Sequence, residues 1–177
     1  SGGDPLVAND RLLSAWAEAL AAIPHIRRLR VHTRLPVVIP QRVSDSLIAW
    51  LSGSRLQSVV VIHVNHPAEL DADTQQALGR LKAAGVTLLN QSVILKGVND
   101  NARVLAELSE RLFECGVLPY YLHAFDPVAG AHHFEVSDDK ARDLVRQLIT
   151  VLPGFLVPRL VREIPGQPGK TPLDLFA

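Results

Sequence analysis

The sequence is poor in cysteine, and it carries neither a net charge nor a long apolar run. Cys115 is the single cysteine among 177 residues. An internal disulfide framework is therefore excluded, and this one thiol cannot by itself ligate zinc or an iron–sulfur cluster. Eighteen basic residues balance eighteen acidic ones. Because no basic run stands out, a broad electrostatic surface for nucleic acid or anionic membrane is excluded. Small molecules are the expected partners.

The sequence also lacks apolar stretches of about 18 residues and a charged-then-apolar leader. We therefore expect a cytoplasmic chain that is neither exported nor inserted into a membrane. Its 47% hydrophobic and 20% charged residues are typical of a globular protein that buries a substantial core.

Helical and β-like segments alternate along the chain. Apolar spacing and capping residues predict helices at residues 12–23, 44–51, 73–84, 101–113 and 137–151. Runs of β-branched and apolar residues predict strands at 29–33, 58–64, 86–95 and 117–125. This alternation predicts an α/β fold with a parallel sheet and right-handed crossovers, arranged as an open or partial barrel.

Polar side chains stand where the predicted strands end. In parallel α/β folds the chemistry collects at the carboxyl ends of the strands, so these side chains are candidates for a site. Exposure of a sheet edge to water accounts for part of this pattern. The candidates are His32, His63, His66, Asn90, Gln91, His123, Asp126 and Glu163.

Glycine-containing segments lie near both ends of the chain. At the start, Gly2 and Gly3 allow the backbone to approach a ligand closely, and Asp4 can receive an ammonium group. Near the other end, residues 165–169 form a Gly/Pro loop that presents Lys170. Such a lysine can form a Schiff base with a carbonyl cofactor while backbone amides hold an anion, or it can be a solvated tail residue.

Several long segments, taken in order and spacing, resemble the lysine 2,3-aminomutase family of radical S-adenosylmethionine enzymes, and the similarity covers essentially the whole chain. They are SGGDP, HTRLPVVIPQR, HVNHP, NQSVILKGVNDN, PYYLHAFDPVAGAHHFEV and the loop ending in KTPLDL. The branch most similar makes (R)-β-lysine for elongation factor P. The resemblance implies a partial parallel (β/α) barrel at residues 1–158 that lacks its first strands and cluster loop. Residues 159–177 would form a cofactor-lysine loop and tail.

The resemblance also implies an isomerase that moves the 2-amino group of L-lysine to carbon 3, with roles for particular residues. Lys170 matches the lysine that holds pyridoxal 5′-phosphate, with Gly166 and Gly169 bringing backbone amides to the cofactor and His123 lying close to its ring. Two carboxylates of the family bind the distal ammonium of the substrate, and the matching positions are Asp126 and Glu163. The second position is often aspartate in the family, so Glu163 is a departure.

The remaining implied roles concern S-adenosylmethionine and a [4Fe–4S] cluster. Gly2, Gly3 and Asp4 match the glycine motif that meets the amino group of S-adenosylmethionine, and His63 and Gln91 match positions that line its adenosyl part. The family binds its cluster with three cysteines, which this chain does not have. We therefore expect a C-terminal part of such an enzyme, inactive in isolation and without metal ligands of its own. The family also forms oligomers, so a homo-oligomer is an expected assembly.

Two interpretations from other functional classes remain open. The side chains of His32, His63, His66, His123 and Asp126 end neighbouring strands and include good zinc ligands, so a metal-dependent barrel hydrolase is an alternative. A non-catalytic domain that keeps the fold and binds a ligand is another.

Overall fold

The fold is an alternation of helices and strands, seen in a computed structural model that describes residues 3–126 and 129–176. The helices are α1 (Asp10–Ala21), α2 (Leu35–Val38), α3 (Asp45–Ser52), α4 (Ala72–Ala83), α5 (Ala102–Glu114) and α6 (Asp138–Val151). The strands are β1 (Arg28–Thr33), β2 (Gln57–Ile62), β3 (Thr87–Val93), β4 (Val117–His123), β5 (Arg159–Arg162) and β6 (Thr171–Pro172). The α/β prediction is confirmed.

Local sequence explains where the predicted helices begin and end. The side chain of Ser44 accepts a hydrogen bond from Leu47 N at the start of α3, and that of Ser137 does the same for Lys140 N in α6. Gly85, which follows α4, has a φ of 79°, which residues other than glycine rarely adopt. The short helix α2 and strand β6 were not predicted, because each is too short for a periodic pattern.

The strands form a 6-stranded sheet in the order β1-β2-β3-β4-β5-β6. Strands β1 and β2 pair in parallel, with Arg28 opposite Gln57, and β4 and β5 also pair in parallel. The last strand, β6, runs antiparallel to β5. Since parallel neighbours need a crossover, helices separate them in the sequence, and the strand ends that follow β1, β2 and β4 carry the candidate polar residues.

The chain divides into two compact units. The first comprises the residues up to His63 together with Leu70–Leu89 and Cys115–Val117. Its fully buried side chains include Leu6, Leu47, Leu51, Leu78 and Leu81. The second comprises Val64–Glu69, Asn90–Glu114 and the chain from Leu118 onward. Its core includes Ile94, which follows β3, together with Leu105, Leu122, Leu144, Leu148 and Leu160 from α5, β4, α6 and β5.

A hydrogen-bond network surrounds the Asp10 carboxylate near the start of the first unit. The carboxylate of Asp10, in the first turn of α1, accepts hydrogen bonds from Arg42 (2.8 and 3.1 Å), Ser46 (2.7 Å) and Trp50 (2.9 Å). Burial disfavours its charge, but the hydrogen bonds and the Arg42 cation outweigh burial and lower the pKa of Asp10 from 3.8 to about 2. The Arg42 guanidinium also donates to Leu6 O at 2.7 Å. The network thus anchors the segment that directly follows Asp4.

Among the described residues, no helix has the length and apolar character needed to cross a membrane.

Candidate active site

The hairpin of β5 and β6 brings Lys170 to Glu163. In its antiparallel register Arg162 lies opposite Thr171, so Glu163 and Lys170 are the first residues beyond the paired positions. The Lys170 ammonium and the Glu163 carboxylate form an ion pair, with side chains 25% and 61% exposed. A primary amine and a carboxylate therefore meet at the base of the loop at residues 164–169, where a small molecule can reach them.

The loop backbone next to Lys170 is open. In the described part of the chain, no heavy atom beyond the glycine itself and its two chain neighbours lies within 4 Å of the point where a Cβ would stand on Gly166 or Gly169. Gly166 also has a φ of 83°, which favours glycine. A primary amine beside accessible backbone amides fits a cofactor that carries both a carbonyl and an anionic group.

Arg162 contacts the other candidate carboxylate, Asp126, and a carboxylate of helix α6. Its Nη atoms donate to both carboxylate oxygens of Asp138, at 2.5 and 2.9 Å. Its Nε atom is 4.0 Å from an oxygen of Asp126, whose side chain is 43% exposed. Sequence reasoning did not single out Arg162 or Asp138, and the available signal was the position of Arg162 directly before Glu163.

His123 and Gln91 stand on neighbouring strands of the second unit. His123 ends β4 and is 9% exposed, and its ring meets the Tyr121 ring edge to face with centroids 6.0 Å apart. Its carbonyl accepts from Ile94 N at 3.0 Å, which fixes the end of the strand. Gln91 lies on β3 and is 6% exposed. Both are thus buried polar residues.

Buried amides hold the segment after β2 against the end of β3. Asn90, which is 1% exposed, accepts from Val64 N at 2.8 Å and donates to Val64 O at 3.0 Å. Asn99, with no exposed surface, donates to Asn65 O at 2.8 Å and to Val93 O at 2.9 Å. Asn99 was missed as a positioning residue, although it lies within a segment that carries the family resemblance.

Asp4 holds the glycine turn onto the end of β1. Its carboxylate accepts from Leu6 N (3.0 Å), from the Thr33 hydroxyl (2.8 Å) and from Arg34 N (2.7 Å). Gly3 has a φ of 80°, and Gly2 lies outside the described residues. Because three donors already occupy the Asp4 carboxylate, it shapes this turn, and a ligand ammonium would be an additional donor.

Among the described residues, the histidines near the ends of β1 and β2 do not form a metal centre. The rings of His32, next to the last residue of β1, and His63, which follows β2, are 6.3 Å apart and tilted by 52°. The Nδ1 atom of His66 accepts from Ala68 N at 3.1 Å, so that lone pair is not available to a metal. Within residues 3–126 and 129–176, no group of three or more metal-ligating side chains converges. The metal-hydrolase alternative, which also used His123 and Asp126, therefore has no support from side-chain geometry in the part of the chain described.

Comparison with known proteins identifies close relatives. No protein-family model matches the chain. It is 56% identical over 99% of its length to the L-lysine 2,3-aminomutase of Escherichia coli, of which it covers 51%. It is 54% identical over 97% of its length to the protein of the same name from Haemophilus influenzae, and covers 51% of that protein. With the Clostridium subterminale protein of this name the identity is 38%, over 98% of the chain and 41% of the relative.

The chain spans about half the length of the curated relatives that it matches. The predicted resemblance to the L-lysine 2,3-aminomutase family is confirmed, because alignments with proteins of that name extend over nearly the whole chain.

Proposed function

We propose that the whole protein is an isomerase that converts L-lysine to β-lysine by moving its 2-amino group to carbon 3. The observation that carries this proposal is the identity over nearly the whole chain to relatives named for that reaction. The pairing of Lys170 with Glu163 supports it, because the residues proposed for cofactor attachment and for substrate recognition meet.

Lys170 is the proposed attachment point of pyridoxal 5′-phosphate. When bound, this cofactor supplies a carbonyl carbon for an amine and a ring that delocalises an unpaired electron. The open backbone at Gly166 and Gly169 supports contact between loop amides and the cofactor. His123 is proposed to lie beside the ring, since it ends β4 as a nearly buried imidazole.

Asp126 and Glu163 are proposed to bind the distal ammonium of the substrate. Both carboxylates are part-exposed and lie at the ends of neighbouring strands β4 and β5. A buried ammonium needs compensating anions, so two carboxylates favour lysine over shorter or uncharged amino acids. Glu163 is one methylene longer than the aspartate often found at this position in the family, so it places its charge farther from the backbone.

The S-adenosylmethionine assignments rest on the family resemblance. We propose that the glycine motif of Gly2, Gly3 and Asp4 binds the amino group of S-adenosylmethionine, and that His63 and Gln91 line its adenosyl part. The residues present do not fit a [4Fe–4S] cluster, because such clusters need several thiolates and Cys115 is alone. We propose that the cysteines that bind the cluster lie in the part of the full-length protein that corresponds to the half of the relatives not spanned by this chain.

This origin of the cluster has consequences for the isolated chain. Residues 1–158 would be part of a partial parallel (β/α) barrel, and residues 159–177 would be its cofactor-lysine loop and tail. The 177 residues alone are then expected to be inactive. A cytoplasmic location, a homo-oligomer and use of the product for elongation factor P stay predictions of the same proposal.

Two measurements test the function. The full-length protein, reconstituted anaerobically with its cofactors, is expected to form β-lysine from L-lysine, whereas the isolated 177-residue chain is not. Treatment of the full-length protein with pyridoxal phosphate and then borohydride should label Lys170, and K170R should lose that label. No β-lysine from the full-length protein, or a label on another lysine such as Lys96, would contradict the proposal and favour a non-catalytic ligand-binding domain.

A further inference from the structure

Each carboxylate proposed to bind the substrate's ammonium faces a cation of the chain itself. Glu163 pairs with the Lys170 ammonium, and Asp126 lies 4.0 Å from the Arg162 guanidinium. A substrate cation that approaches either carboxylate therefore competes with an internal partner.

The two internal cations differ in how firmly they are held. Both Nη atoms of Arg162 are fixed by the carboxylate of Asp138, and a guanidinium does not lose its charge in a protein. Lys170 is a single ammonium on a flexible stem, 25% exposed. A lysine amine can form a covalent bond to a carbonyl carbon, whereas a guanidinium keeps its charge. Of the two internal cations, only Lys170 can therefore lose its ammonium form in a reaction.

We propose that Lys170 occupies the ammonium position at Glu163 until it bonds to the cofactor, and that this bonding opens the position to the distal ammonium of the substrate. The inference rests on the function proposed above. As the bond forms, the ammonium loses its charge-bearing proton, and its other two hydrogens leave as water with the carbonyl oxygen. The nitrogen then no longer offers the three donors of an ammonium.

The exchange replaces one cation by another at the same carboxylate. Attachment of the cofactor and binding of the amino acid therefore favour each other, by the free energy that the ion pair between Lys170 and Glu163 contributes. Because the Glu163 side chain is 61% exposed, that contribution is small, and removal of Lys170 should strengthen the binding of a lysine ammonium by about two- to fivefold.

A double-mutant cycle on the full-length, cofactor-free protein tests the exchange. Calorimetry measures the affinity for L-lysine in the unmodified protein, in K170M, in E163Q and in K170M/E163Q. We expect K170M to bind L-lysine about two- to fivefold more tightly than the unmodified protein. Addition of E163Q should abolish this gain. Binding of L-norleucine, which lacks the distal ammonium, should not respond to K170M.

Equal or weaker binding of L-lysine by K170M, or a gain that persists in K170M/E163Q, would overturn the exchange. Thermal unfolding verifies that each variant folds, and K170Q repeats the comparison if K170M does not. Borohydride labelling separates the two levels of the proposal. If Lys170 is labelled but the cycle shows no coupling, the exchange fails and the proposed function stands. If Lys170 is not labelled, the proposed cofactor site fails.

Discussion

Replacement of Asp10 by asparagine tests how strongly the hydrogen-bond network around Asp10 stabilises the first unit. The substitution keeps the shape of the side chain but removes the charge that Arg42 and Trp50 contact. It also leaves the Arg42 guanidinium, which is 17% exposed, without its carboxylate. We therefore expect D10N to destabilise the first unit, because a nearly buried cation loses its compensating anion.

The pKa of Asp10 sets the size of the effect. A pKa lowered from 3.8 to about 2 corresponds to about 2.4 kcal/mol of folding free energy, at about 1.36 kcal/mol per pKa unit. Since 21% of the side chain is exposed, solvent screening reduces this to about 2 kcal/mol. For a chain of this size the melting temperature should fall by about 4–8 °C.

The sign of the pH dependence follows from the lowered pKa. The unfolded state binds the proton more readily, so the stabilisation is fully present above the unfolded value of 3.8 and is lost as pH falls through the folded value of about 2. At pH 3 about half of it should remain. The deficit of D10N in urea unfolding should therefore be smaller at pH 3 than at pH 7.

Asp73 offers a matched control, because it is also an acidic residue in the first turn of a helix, α4. D73N removes the same charge from the first turn of a helix, and should cost only a few tenths of a kcal/mol. If D10N and D73N destabilise equally, or if the D10N deficit does not depend on pH, the network around Asp10 does not have the strength inferred for it.

Two further predictions concern the backbone around the site. G166A should destabilise the protein by about 1–2 kcal/mol and slow the labelling of Lys170, because Gly166 has a φ of 83°. G169A, at a glycine with equally open surroundings, is the control and should be nearly neutral. Equal effects of the two substitutions would contradict the role of φ. N99A should cost about 2–4 kcal/mol in urea unfolding, because the Asn99 amide has no exposed surface and its partners would be left buried. N101A, at an exposed asparagine, is the control and should lower the free energy of unfolding by less than about 1 kcal/mol. A similar decrease in both variants would show that burial of the amide is not the cause.

The order of helices and strands was predictable because each longer element has its own signal in the sequence. Ser44 and Ser137 cap helices where the sequence places them, and apolar runs mark the four strands from β1 to β4. These signals are local, so they need no knowledge of tertiary contacts.

The contacts of the site were less predictable because they depend on register. Lys170 and Glu163 were both candidates, but their ion pair depends on a ladder in which β6 supplies only Thr171 and Pro172. Arg162 and Asp138 are 24 positions apart, and only the packing of β5 and α6 in three dimensions brings them together. The role of Asp4 as the anchor of its own turn likewise follows from hydrogen bonds to Thr33 and Arg34.

The hairpin register makes the length of the lysine loop more constrained than its composition. Arg162 stays opposite Thr171 whatever side chains the loop carries, as long as a glycine remains where φ is positive. An insertion or deletion at residues 164–169 would instead move Lys170 along the ladder relative to Glu163. Residues of this loop other than that glycine can therefore be exchanged with little effect on the register, whereas a change of one residue in its length would separate Lys170 from the carboxylate beside it.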